Sequence, residues 1–89
     1  MKKLASALLL SALPFLATAQ DKIKVAATPV PHAEILEYAQ TLIPNDLTID
    51  VTVVTDYVLP NLMLNEGEVD ANFMQHQPYL TEFNKSNNM

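Results

Sequence analysis

From Leu47 to Val54 the chain alternates well, with Leu47, Ile49, Val51 and Val53 on one side and Thr48, Asp50 and Thr52 on the other. Period two over that length predicts a β-strand with one buried face, and it obliges the rest of the chain to cover that face. Covering elements are legible on both flanks. From His32 onward Ala33, Leu36, Ala39 and Leu42 recur at helical spacing, with Ile35 widening the stripe, Pro31 suited to the first turn and Glu34 at the positive end of the dipole. Pro44-Asn45-Asp46 closes that helix as a turn. After the strand, Thr55-Asp56 offers an N-cap for a helix over Tyr57 to Asn65, Pro60 is tolerable in its first turn, and Gly67, the only glycine, fits its C-terminal cap. Ile23 to Ala27 reads as an earlier strand, broken by Thr28-Pro29-Val30-Pro31, and Val69 to Met74 as a later one. Gln77-Pro78 then opens a last helix, Tyr79 to Lys85. The order β-α-β-α-β-α with short connections predicts an α/β lobe of parallel strands joined by right-handed crossovers. Three strands leave two sheet edges open, so more chain or another subunit is expected to complete the sheet.

The first residues have a different character. Lys2 and Lys3 precede an apolar run, Leu4 to Leu16, interrupted by Ser6, Ser11 and Pro14, and Ala17-Thr18-Ala19 supplies a small-x-small pattern. That sequence of regions predicts a signal peptide over residues 1–19, shorter than the roughly 20 apolar residues of a spanning helix. Removing it leaves 70 of the 89 residues and three of the five lysines against ten acidic groups, a formal charge of −7 with histidines neutral. With that charge and no arginine, nucleic acid is excluded as a partner. The absence of cysteine excludes both a disulfide framework and a lipid-modified cysteine at the junction. Seventy residues lie near the lower limit for a self-sufficient core.

In open parallel sheets ligands bind beyond the carboxyl ends of the strands. Those positions are Thr28-Pro29, Thr55-Asp56-Tyr57 and Phe73-Met74-Gln75-His76. Phe73, Met74, His76 and Tyr79 fall within seven residues, with Tyr57 from the neighbouring strand end, and can form one wall of an apolar pocket with a few polar tips. Rings of this kind suit a thioether or another apolar side chain. Phe73 or Met74 can instead fill the core, and His76 can be a surface or hydrogen-bonding histidine. His32, Glu34 and His76 lack the spacing of a metal site, and Asp56 and Asp70 are explained by cap and turn roles rather than as a catalytic pair. A single glycine cannot build a phosphate loop, and no nucleophile turn is present. The residues therefore indicate no enzyme, no catalytic residue, no metal and no cofactor.

Three segments carry a family resemblance. Ala27-Thr28-Pro29-Val30-Pro31-His32-Ala33-Glu34-Ile35-Leu36-Glu37 resembles the opening strand-loop-helix of the NlpA/MetQ lipoproteins. Thr55-Asp56-Tyr57-Val58-Leu59-Pro60-Asn61 is similar to their second motif. Asp70-Ala71-Asn72-Phe73-Met74-Gln75-His76-Gln77-Pro78-Tyr79-Leu80, with Phe83-Asn84-Lys85 following, is similar to the third. The resemblance spans nearly all of residues 22–85. It implies a two-lobed periplasmic binding protein of the type II class that captures D- or L-methionine, or a related amino acid, and delivers it to an inner-membrane ABC permease without chemistry. Residues 20–89 are then the N-terminal part of its first lobe, cut short. The family's side-chain pocket falls on Tyr57, Met74, His76 and Tyr79, with Phe73 adjacent. Met74 stands where the family usually has a second aromatic, the usual lipid-bearing cysteine is missing, and the family is over three times longer. The other readings open at this point are an exported enzyme, a small exported interaction protein pairing through an open sheet edge, and a non-functional remnant of a binding protein.

Overall fold

The computed structural model describes residues 21–89, so the expected signal segment over residues 1–19 lies outside the described residues. Three strands form one parallel sheet in the order β2-β1-β3, with β1 Asp21–Ala27, β2 Leu47–Val53 and β3 Ala71–Phe73. The helices are α1 Glu34–Gln40, α2 Leu59–Asn65 and α3 Gln77–Ser86. The expected α/β order and parallel sense are those observed. From β1 the chain crosses through α1 to one side, and from β2 through α2 back over β1 to the other. With right-handed crossovers these opposite directions place α1 and α2 on opposite faces of the sheet.

A central strand covered on two faces needs small or apolar residues in succession rather than alternation. β1 meets this in its second half only. Val25 is buried, and Ala26 and Ala27 are fully so, whereas Asp21 to Lys24 are exposed. Ala26 packs with Val54 and Val69, and Met63 of α2 closes over them. The core thus sits under the carboxyl ends of the strands, the end where the loops emerge.

Element boundaries differ from the sequence expectation for identifiable reasons. α1 begins at Glu34 and not at His32, because two prolines occupy the approach. Val30, which precedes Pro31, is extended (φ −130°, ψ 126°), and Pro29–Ala33 forms an irregular turn closed by Ala33 N–H donating to the Thr28 carbonyl at 2.9 Å. The Val30–Pro31 bond in this turn is cis. α2 begins at Leu59 and not at Tyr57, because the Asp56 carboxylate accepts from the N–H groups of Val58 (2.8 Å) and Leu59 (2.7 Å). β3 is shorter than Val69 to Met74. Asp70 delays its start, because its carboxylate accepts the Lys24 N–H at 2.9 Å in place of a backbone ladder bond while its own N–H donates to the Lys24 carbonyl at 2.8 Å. Gly67 caps α2 as expected: at φ +78° its N–H reaches the Leu64 carbonyl, and Glu68 N–H reaches that of Met63.

One side chain finishes the sheet where the sequence pattern gave no hint. Asp21 N–H donates to the Asp46 carbonyl and Val54 N–H to that of Ala27, so the even-numbered residues of β2 turn toward β1 and the odd-numbered ones outward. On that outer side the Gln40 carboxamide donates to the Leu47 carbonyl at 3.0 Å and accepts from Ile49 N–H at 2.6 Å. It occupies two of the positions that a further strand would use, at the start of β2. Replacing Gln40 with alanine is expected to lower the unfolding free energy by about 1–2 kcal/mol and to speed amide exchange at Ile49. Denaturant melts and hydrogen exchange read these two effects, and unchanged Ile49 exchange contradicts the assignment.

Candidate functional site at the strand ends

Because the strands are parallel, the loops after β1, β2 and β3 leave the sheet together. Those after β2 and β3, with the first turn of α3, border an open hollow of about 180 Å³ lined by Tyr57, Met74, Gln75, His76 and Tyr79. Four of the five residues expected there come together as read from the sequence. Met74 is 7% exposed, so it joins the core and also floors the hollow. Tyr57 borders the hollow and is 62% exposed as a residue. Phe73 does not line the hollow. Neighbouring residues of an extended chain point to opposite sides, so with Met74 turned inward Phe73 turns out. Its ring meets His32 edge-on, with centroids 4.6 Å apart and planes at 86°. His32 is fixed in turn by a 2.8 Å hydrogen bond between its Nδ1 and the Thr28 hydroxyl, and Thr28 is buried.

His76 and Tyr79 have defined orientations. His76 precedes α3 with extended backbone (φ −98°, ψ 168°), and its Nδ1 accepts from Tyr79 N–H at 3.2 Å, so the histidine caps the helix. A neutral ring held this way carries its proton on Nε2, which leaves an N–H donor that the cap does not use. Tyr79 reaches back across the hollow, its hydroxyl donating to the Tyr57 carbonyl at 2.7 Å, and its ring lies 6.0 Å from that of Phe83. The hollow therefore offers aromatic faces, a thioether and one free imidazole donor. It is suited to a small side chain that is largely apolar.

The sequence reading missed three carboxamides behind this wall. Asn61, only 3% exposed, donates from Nδ2 to Gln75 Oε1 at 2.7 Å, and its Oδ1 accepts from Gln75 Nε2 at 2.7 Å and from Asn72 Nδ2 at 2.8 Å. Asn72 Nδ2 also donates to the Pro60 carbonyl at 3.2 Å, and Gln75 Nε2 to Asn72 Oδ1 at 3.3 Å. Among the described residues no buried side-chain nitrogen or oxygen lacks a partner, and no three His, Cys, Asp or Glu side chains gather in a metal-binding group.

A parallel sheet with an aromatic-walled hollow at its carboxyl end defines an α/β lobe of the ligand-binding kind. The chain belongs to the NlpA lipoprotein family, whose sequence profile matches residues 23–89. Similar proteins include the methionine-binding lipoprotein MetQ of Bacillus subtilis (strain 168), 46% identical over 69 residues, which are 76% of this chain and 25% of that one. The D-methionine-binding lipoprotein MetQ of Escherichia coli (strain K12) is 41% identical over 64 residues, 70% of this chain and 24% of that one. Among solved structures, the pheromone cOB1 precursor/lipoprotein of the YaeC family from Enterococcus faecalis V583 superposes with a TM-score of 0.72 at 48% identity, covering 76% of this chain and 29% of that one. The chain spans about a quarter of the length of the curated relatives it matches.

Asp56 carries the loop that presents Tyr57, and its two cap bonds make it the most exposed point of failure in the wall. Asp56→Ala is expected to cost about 1 kcal/mol of stability, while Asp56→Asn keeps most of it. Equal denaturation midpoints for wild type and Asp56→Ala would show that the cap does not hold this loop.

Proposed function

We propose that this chain supplies the side-chain wall of a methionine-binding site in the substrate-capture component of an ABC importer, and that it performs no chemical reaction. The observation that carries the reading is the convergence of Tyr57, Met74, His76 and Tyr79 on one hollow, in a chain whose relatives are named methionine-binding and D-methionine-binding. A methionine side chain is thin, apolar and polarisable. Its sulfur packs against ring edges, and a thioether accepts only weak hydrogen bonds, which matches a wall of rings and one thioether. Phe73 packs on His32 and stands apart from this wall. Residues 20–89 serve as the N-terminal part of one lobe, exported by the segment over residues 1–19 to the periplasm, where the protein meets its permease.

The ligand's charged end requires groups from elsewhere. The chain contains no arginine to fork a carboxylate, so a second wall from further sequence closes on the amino acid. The rival reading, a small interaction protein pairing through the outer edge of β2, is opposed by Gln40, which already occupies that edge at Leu47 and Ile49.

Calorimetric titration with L- and D-methionine tests the proposal. The complete gene product is expected to bind at least one enantiomer saturably, and His76→Ala to weaken binding about tenfold. The 89-residue chain alone is expected to show no saturable micromolar binding. Saturable micromolar binding by it, or wild-type affinity in His76→Ala, contradicts the one-wall account.

A further inference from the structure

Gln75 borders the hollow but directs its side-chain oxygen and nitrogen to Asn61 and Asn72, so the polar atoms of the three carboxamides are engaged behind the wall and not turned into the hollow. Their placement gives them another role. Asn61 lies in the first turn of α2, Asn72 in β3, and Gln75 in the two-residue span before the helix cap. The reciprocal Asn61–Gln75 pair, with two bonds of 2.7 Å, fixes the direction of the Gln75 side chain as well as its distance. The next residue is His76. Its Nδ1 takes the Tyr79 N–H, the Tyr79 hydroxyl reaches the Tyr57 carbonyl, and Tyr57 is joined through the Asp56 cap to the start of α2, where Asn61 sits. These hydrogen bonds join into one circuit, and the part-buried Asn61–Gln75 pair is its least exposed link.

We infer that Asn61 and Gln75 are positioning residues for the ligand wall: their carboxamide pair sets the orientation of the His76 ring, and thereby where its free Nε2–H points. The inference rests on the proposed binding function for its consequence, but the orientation of His76 is measurable without a ligand. A site held within a fraction of an ångström by locked supporting side chains loses affinity when that support is removed, even if the contact residues remain.

A merely structural pair and a positioning pair respond differently to joint replacement. Substituting both partners of a shielded hydrogen bond by apolar groups of similar shape can be nearly neutral. Asn72 keeps its Nδ2 bond to the Pro60 carbonyl and gives up only the long 3.3 Å bond from Gln75 to its Oδ1 and the bond to Asn61. An apolar contact, however, has no direction. In the complete gene product, Asn61→Leu/Gln75→Met is therefore expected to melt close to wild type. Its His76 should lose the single Nε2–H tautomer in long-range ¹H–¹⁵N NMR, and it should bind L-methionine about tenfold more weakly at unchanged stoichiometry. Full stoichiometry separates this from partial unfolding, which lowers the active fraction and not the affinity of folded molecules. A folded double variant with the wild-type His76 signature overturns the inference. If wild type itself ignores methionine, the binding function falls, and the His76 tautomer alone decides the positioning role. Gln75→Met alone provides the same readouts should the double variant not fold.

Discussion

Because β1 lies between β2 and β3 and runs parallel to both, the three strands finish together and their following loops emerge on one side. That geometry depends on residues small enough to be enclosed from both faces, and Ala26 and Ala27 are fully buried where β1 ends. The core formed by Ala26, Val54, Val69 and Met63 is under the loops, so the same packing that stabilises the sheet also anchors the site. A larger side chain at Ala26 would separate helix from sheet and displace the walls with it.

On this base the wall is built from short polar devices. Asp56 caps α2, His76 caps α3, the Tyr79 hydroxyl joins the two loops, and Asn61 pairs with Gln75 beneath them. The first three use backbone groups that helix ends and loops leave without an internal partner, and the Asn61–Gln75 pair satisfies two side chains against each other. The aromatic and thioether surfaces can then face the solvent side without being drawn into the core, apart from Met74, which does both. Such a wall is rigid but one-sided. It presents apolar surface to a ligand and no cation for a carboxylate, consistent with a chain that covers a quarter of its relatives' length.

Much of this was legible in the amino-acid order, for physical reasons. The alternation over Leu47 to Val54, the periodic stripe through Leu36 and Ala39, and Gly67 past the end of α2 all report local preferences that tertiary structure did not override. The convergence of Tyr57, Met74, His76 and Tyr79 followed from parallel topology alone. Other features were illegible because they depend on geometry across the fold. Val30 is extended because of Pro31, which delays α1 by two residues, and Phe73 turns away because its neighbour turns in. The carboxamides of Asn61, Asn72 and Gln75 carry no periodic signal, and 11 to 14 residues separate the partners of Asn61 from it. Gln40 reads as an ordinary helix residue until the sheet edge is placed beside it.

The most direct measurement is a crystal structure of the complete gene product grown with L-methionine and, separately, with D-methionine. The account predicts the thioether of at least one enantiomer in the hollow, in contact with Tyr57, Met74 and Tyr79 and within reach of His76 Nε2. Its carboxylate and amino groups should be held by groups outside residues 21–89. Methionine bound with its side chain away from this wall, or a hollow filled by the protein's own later residues, would contradict it.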